Sequence, residues 1–217
     1  QKFPFRTRII CATATPIDNV YPNVLRLQVQ SSIVLRLIPR LVAFLPSTIR
    51  TWFDASYPEW NLPSNVILKK EKKDWQKEFD NEKAAYTKLR PLQGVIIPKF
   101  FGELLYDNTK AFLMSDIGGA SLDSPEGALL EVADFRRMLH QTLIAFTQFR
   151  ITLDDLKLGN FHLTGDKIMI VDLENLNEDL TDKDIDLFIR VATDFLTEEY
   201  ESWQYQFWKD GHIEIAS

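Results

Sequence analysis

Five side chains in this sequence have types and spacing suited to phosphoryl transfer. Lys69 closes a short β-branched and apolar run, Val66 to Lys69. Glu82 lies on the apolar stripe of a helical segment. Asp155 and Asn160 stand five apart in the loop-like DDLKLGN, and Asp172 follows twelve residues later at the exit of a hairpin-like pattern. Phosphoryl transfer asks for a cation on the nucleotide phosphates and a carboxylate to hold that cation. It also asks for a base for the attacking hydroxyl and oxygen ligands for magnesium. Glu82 is the member least explained by packing, because a carboxylate on a buried helix face is costly unless a cation meets it.

The elements that position these groups follow from periodicity. Val66 to Lys69 reads as a strand. Asp74 to Leu89 reads as a helix stopped by Pro91, with Trp75, Phe79, Glu82, Tyr86 and Leu89 on one stripe at ~100° per residue. Val95 to Leu105 and Lys110 to Met114 predict two strands joined through Tyr106-Asp107-Asn108-Thr109. A long helix is predicted from about Glu131 to Phe149. Phe161 to Leu163 and Ile168 to Val171 form a second hairpin through Thr164-Gly165-Asp166-Lys167, with Asp172 at its exit. One or two helices are predicted over Asp182 to Trp208. Ser31 to Leu45, with Arg36 and Arg40 inside an apolar run, suits an amphipathic helix near Pro39, packed on the main domain in preference to lying on a membrane. Pro58 and Pro63 then mark a linker.

Composition narrows the function. The 217 residues are 45% hydrophobic and 26% charged, the balance of an ordinary globular chain. No run of apolar residues is long enough to span a membrane, so no transmembrane segment is expected. Residues 1–60 carry a net charge of +4 and the remainder −10. That basic stretch is too dilute, and the rest too acidic, for a nucleic-acid partner. The single cysteine, Cys11, cannot form an internal disulfide. With no visible secretory signal, it points to a reducing, cytoplasmic setting.

The same residues resemble the protein kinase-like superfamily. VILK at 66–69 is similar to the Val-Ala-Ile-Lys strand, DLKLGN at 155–160 to the Asp-Leu-Lys-x-x-Asn catalytic loop, and VDLE at 171–174 stands where Asp-Phe-Gly would be. The Asp-apolar-Glu ending, FDNEKAAYTKL around Glu82, LMSDIGG and NFHL resemble fungal kinase-like and aminoglycoside phosphotransferase-type proteins. The resemblance implies that Lys69 contacts the α- and β-phosphates of ATP and pairs with Glu82, that Asp155 is the catalytic base, and that Asn160 and Asp172 bind Mg2+.

The expected architecture is α+β, a two-lobed protein kinase-like fold. A small antiparallel sheet with one key helix forms the N-lobe (61–116), a short, mainly helical C-lobe (117–217) holds the catalytic loop, and residues 1–60 pack on the domain as an N-terminal extension. Certain positions depart from the family pattern. No glycine precedes Gly94, so the glycine-rich loop over the phosphates is missing. Leu153 and Asp154 stand where His and Gly or Arg are usual, and Ile67 replaces a small residue under adenine. The expected function is an ATP- and Mg-dependent phosphotransferase acting on a small-molecule or protein hydroxyl. The alternative is a pseudokinase that uses the fold to bind a protein partner.

Overall fold

In the computed structural model, residues 1–17, 21–30 and 42–213 are described. The chain is α+β, and its residues divide into two compact units, 1–76 with 99–116, and 77–98 with 117–217.

The first unit is built on a six-stranded antiparallel sheet. Its strands are β1 (Lys2–Phe5), β2 (Arg8–Pro16), β3 (Val24–Val29), β4 (Asn65–Lys70), β5 (Phe100–Tyr106) and β6 (Thr109–Ser115), in the order β1-β2-β3-β4-β6-β5. Alternation decides which face is buried: in β3, Leu25, Leu27 and Val29 point inward while Arg26 and Gln28 point to solvent. The inward set joins Phe3, Phe5, Ile10, Val66, Leu68, Leu104 and Leu113 in one core. The sheet curls until its edge strands approach. Arg6 Nη2 donates to the Phe101 carbonyl at 3.3 Å, and a Cβ on Gly102 (φ 143°) would sit 3.3 Å from the Phe5 ring. The β5–β6 turn is the expected one, with Asp107 and Asn108 both left-handed at φ 49° and 60°, the pattern that matches strand twist in a two-residue hairpin.

Two expectations need correction here. Residues 1–60 are not set apart as an extension, since β1, β2 and β3 belong to the same sheet as β4, and β3 pairs with β4 from Val24↔Lys69 to Gln28↔Asn65. The expected strand from Val95 also starts later, at Phe100. Gly94 turns the chain, its N–H donating to Ile97 O at 2.7 Å, and Pro98 has no N–H to give to a ladder. Between β3 and β4 lies a helix that the sequence reading missed, α1 (Ser47–Ser56), followed by a 3-10 turn at Pro58–Trp60. Of the helix expected over Ser31 to Leu45, residues 31–41 lie outside the described residues.

Among the described residues, the second unit holds three α-helices and two small sheets. Helix α2 (Gln76–Lys88) falls in it from Lys77 onward. Phe79, Glu82 and Tyr86 line its buried face, and Leu89 is buried just beyond it. Trp75 departs from the expected stripe because Asp74 is left-handed (φ 66°), so the helix starts after it and Trp75 is exposed beside the Lys72 ammonium. Helix α3 (Val132–Thr147) buries Phe135, Met138, Leu139, Leu143 and Phe146, spacing that keeps one face inward. Its Thr142 hydroxyl donates to Ile168 O at 2.9 Å.

Three further strands form one small sheet: β7 (Ala120–Ser121), β9 (Phe161–Thr164) and β10 (Lys167–Ile170) pair in the order β10-β9-β7. A second is the pair β8 (Thr152–Leu153) and β11 (Leu176–Asn177). Helix α4 (Asp182–Lys209) is continuous, opened by a capping box in which Thr181 and Asp184 satisfy each other's backbone N–H groups. Its Tyr200 stacks on Phe135 with centroids 4.0 Å apart, and its hydroxyl accepts from Leu130 N–H at 2.9 Å.

Candidate functional site

Three of the five expected residues are brought together by two short pairings in the second unit. The β9–β10 hairpin sets Phe161 opposite Ile170, and just outside it the Val171 N–H donates to Asn160 O at 2.9 Å. The β8–β11 pair sets Leu153 opposite Leu176, and the Asp154 N–H donates to Asn175 O at 3.2 Å. The loop 154–160 and the segment 171–175 are therefore clamped side by side at both ends. Asp172 emerges directly after the residue that is bonded to Asn160.

Within the loop, Asn160 is buried and its amide donates to Asp155 O at 3.0 Å and to Asp155 Oδ2 at 3.4 Å. Lys157 Nζ lies 2.5 Å from the same Oδ2. Asp155 itself is exposed. Both side-chain contacts fall on one oxygen, Oδ2. Lys157 belongs to the loop motif but was not singled out from sequence. The Asp-x-Lys spacing is the signal that could have found it.

Beside the loop, carboxylate oxygens of Glu82, Asp172 and Glu174 all lie within 4.8 Å of one another. Glu82 comes from the buried face of α2, at 1% exposure, while Asp172 and Glu174 are half-buried. Asp172 Oδ1 also accepts the Glu174 N–H at 3.3 Å, an interaction that fixes the turn. Lys88 Nζ to Glu178 Oε1, at 3.1 Å, ties the end of α2 to the chain beyond β11. Three carboxylates this close repel one another, and hard oxygen donors at this separation suit a divalent cation such as magnesium, which keeps several waters. Of the two metal residues that the resemblance implied, Asp172 belongs to this acidic group and Asn160 lies in the neighbouring loop. Glu174 closes the VDLE segment, and its position two residues after Asp172 is the sequence signal for its place in this group.

Lys69 stands on β4 in the first unit, half-buried, opposite Val24 on β3 and Phe112 on β6. Lys69 belongs to the first unit, and Glu82, Asp172 and Glu174 belong to the second.

A further carboxylate supports the 154–160 loop. Glu199, on α4, accepts the backbone N–H of Leu158, in the 3-10 turn Leu158–Asn160. On the same turn, a Cβ at Gly159 would lie 2.6 Å from Asp123 Oδ2, so a larger residue there would displace the Asp123 side chain. Burial pushes the Glu199 carboxyl above the ordinary carboxylate range, the Leu158 N–H lowers it, and Asp123 raises it again. A raised folded value means that the folded chain holds the proton at pH where the unfolded chain has lost it. Stability should therefore fall as pH rises from the ordinary glutamate value through the raised one. Glu199→Gln keeps an acceptor for Leu158 and should flatten that part of the melting-temperature profile. An unchanged profile would mean that Glu199 ionises without cost.

No protein-family model matches the chain, and no curated protein matches it in sequence.

Proposed function

We propose that this chain is a magnesium- and ATP-dependent phosphotransferase of the two-lobed kinase-like fold. The observation that carries the reading is the clamping of the 154–160 loop against Asp172, with Asn160 bonded to both sides. The division between units at 116/117, and the separate sheet unit bearing Lys69, also support it. In this reading Asn160 and Asp172 hold the metal, with Glu174 and Glu82 adding negative charge beside it. The metal, when bound, neutralises charge on the β- and γ-phosphates. An acceptor hydroxyl gives its proton to Asp155 Oδ1 as its oxygen bonds to the γ-phosphorus, the bridging P–O bond breaks, and ADP leaves. Lys157 places a cation beside that carboxylate. The contact of Lys69 with the α- and β-phosphates, and its pairing with Glu82, are the parts carried by resemblance alone.

The first test is a thermal-shift titration with ATP, with and without magnesium, together with an assay for ADP release. A ligand at about 100 times its dissociation constant stabilises by about 2.7 kcal/mol, so the melting temperature should rise only when both are present. ADP should then accumulate.

A second reading, a kinase-shaped module that binds a protein partner without chemistry, is favoured by one feature. The first 93 residues contain no glycine, so the β2–β3 connection has none with which to approach phosphates closely. Absence of both the shift and ADP release would select this reading over the first.

A further inference from the structure

Helix α4 carries a second apolar stripe, on the side away from the core it packs against. Ala192, Leu196 and Tyr200 form its buried face. At ~100° per residue, Leu187, Val191, Phe195 and Tyr205 project on the far side, and they are 51%, 51%, 49% and 57% exposed. The outward face of such a helix is ordinarily polar. Here Glu198 and Ser202 are the polar positions within the stripe, and Trp208 stands at its edge, with its ring centroid 5.9 Å from that of Tyr205. From Leu187 to Trp208 the stripe follows about 32 Å of helix, at 1.5 Å per residue.

The helix that bears it is fixed on its core side. Beyond the capping box at its start and the stacking of Tyr200 on Phe135, the Gln204 amide donates to Ala128 O at 2.9 Å and to Leu130 O at 2.7 Å. Its charge is equally one-sided. Between Val191 and Trp208 there are four acids, Asp194, Glu198, Glu199 and Glu201, and no Lys, Arg or His, a net of −4 in 18 residues of a chain that carries −6 in all 217. Over the whole helix the balance is the same, seven acids against Lys183, Arg190 and Lys209. Asp194 is matched by Arg136 of α3, and Glu199 accepts the Leu158 N–H. Glu198 and Glu201 are exposed and have no cationic partner among the described residues.

We infer that the outward face of α4 docks a basic amphipathic helix of a protein partner. Charge selects this occupant. An anionic bilayer or a nucleic acid would be repelled by the two unmatched carboxylates. A second copy of the chain would set the acids of one stripe against the acids of the other, in parallel or in antiparallel alignment about the middle of the stripe, and like charges so placed are destabilising. A helix with apolar residues at the i, i+4, i+7 spacing and lysine or arginine at its middle covers the stripe and meets Glu198 and Glu201 together. The inference stands independently of the phosphotransferase reading, because the stripe shares no residue with that site.

The test is fluorescence anisotropy of a labelled peptide of about 20 residues, made only of leucine and lysine with leucine on one helical face, titrated with the full chain. The same pattern in leucine and glutamate is the comparison. The Leu/Lys peptide should bind saturably and more weakly in high salt, and the Leu/Glu peptide at least about tenfold more weakly. V191S/F195S should lower affinity for the Leu/Lys peptide by about tenfold. E198K/E201K should reverse the preference between the peptides, a gain for Leu/Glu that reads the face without relying on a loss. D80K/D166K changes the net charge equally at exposed positions elsewhere in the second unit and should leave the preference as it is. All the exchanged side chains are exposed, and an unchanged melting temperature establishes that the variants remain folded. Absence of saturable binding by the wild type, or binding undiminished in V191S/F195S, overturns the inference. So does a loss in D80K/D166K as large as in E198K/E201K, because net charge and not this face would then hold the peptide. A concentration-dependent dimer seen by light scattering and abolished by V191S/F195S also overturns it, because the face would then belong to a second copy.

Discussion

Asp155→Asn should reduce phosphotransfer by roughly 10²–10⁴-fold, the usual worth of a positioned general base, while ATP and magnesium stabilise the variant as they do the wild type. The geometry gives the reason. One oxygen of Asp155 is committed to the Lys157 ammonium at 2.5 Å and faces the Asn160 amide at 3.4 Å. In the variant the carbonyl oxygen keeps that place, since an amide NH2 there would meet two donors. The NH2 group is then turned to the acceptor hydroxyl. It can donate a hydrogen bond but cannot take a proton, so chemistry stops with the loop intact. Measuring ADP release and the ATP-dependent thermal shift on the same preparation separates the two effects. A variant with wild-type turnover would remove Asp155 from the reaction.

The loop was legible in sequence because its information is local. Asp155, Lys157 and Asn160 fall within six residues, and the hairpin from Phe161 to Ile170 has period-two apolar positions and a glycine turn. Glu82 was legible for another reason: a carboxylate at a position that periodicity marks as buried is a conflict between local pattern and chemistry, and such conflicts collect at functional sites. The convergence of Glu82 with Asp172 and Glu174 was not legible, because ninety residues separate Glu82 from Asp172 and no period reports their distance. The first three strands were overlooked although Leu25, Leu27 and Val29 alternate with polar residues, a period-two signal as clear as that of β9. Helix α1 escaped because its apolar stripe lies next to prolines that punctuate the chain on both sides, Pro46 and Pro58. The start of β5 moved to Phe100 because the run Val95–Ile97 is apolar for a different neighbour: Ile96 O accepts the Ile170 N–H at 2.8 Å in the second unit.

Asp172→Asn separates binding from chemistry in the opposite sense. The substitution is nearly isosteric, and an amide oxygen can accept the Glu174 N–H as Asp172 Oδ1 does at 3.3 Å, so the turn at the hairpin exit should persist. What is lost is one negative charge from a group of three carboxylates within 4.8 Å of one another. An amide oxygen is a weaker ligand for a hard divalent cation than a carboxylate, and magnesium parts reluctantly with its waters. If magnesium-dependent ATP affinity falls by about 100-fold, a nucleotide concentration of about 100 wild-type dissociation constants becomes roughly one for the variant. The stabilisation then drops from about 2.7 to about 0.4 kcal/mol by the same relation. Raising magnesium should recover part of the shift in Asp172→Asn and none of the lost turnover in Asp155→Asn. That crossed pattern is specific to a site in which one carboxylate holds metal and the other takes a proton. Equal loss of shift and turnover in both variants would instead mark the two aspartates as supports of the same loop, and the phosphotransferase reading would fall with the distinction between them.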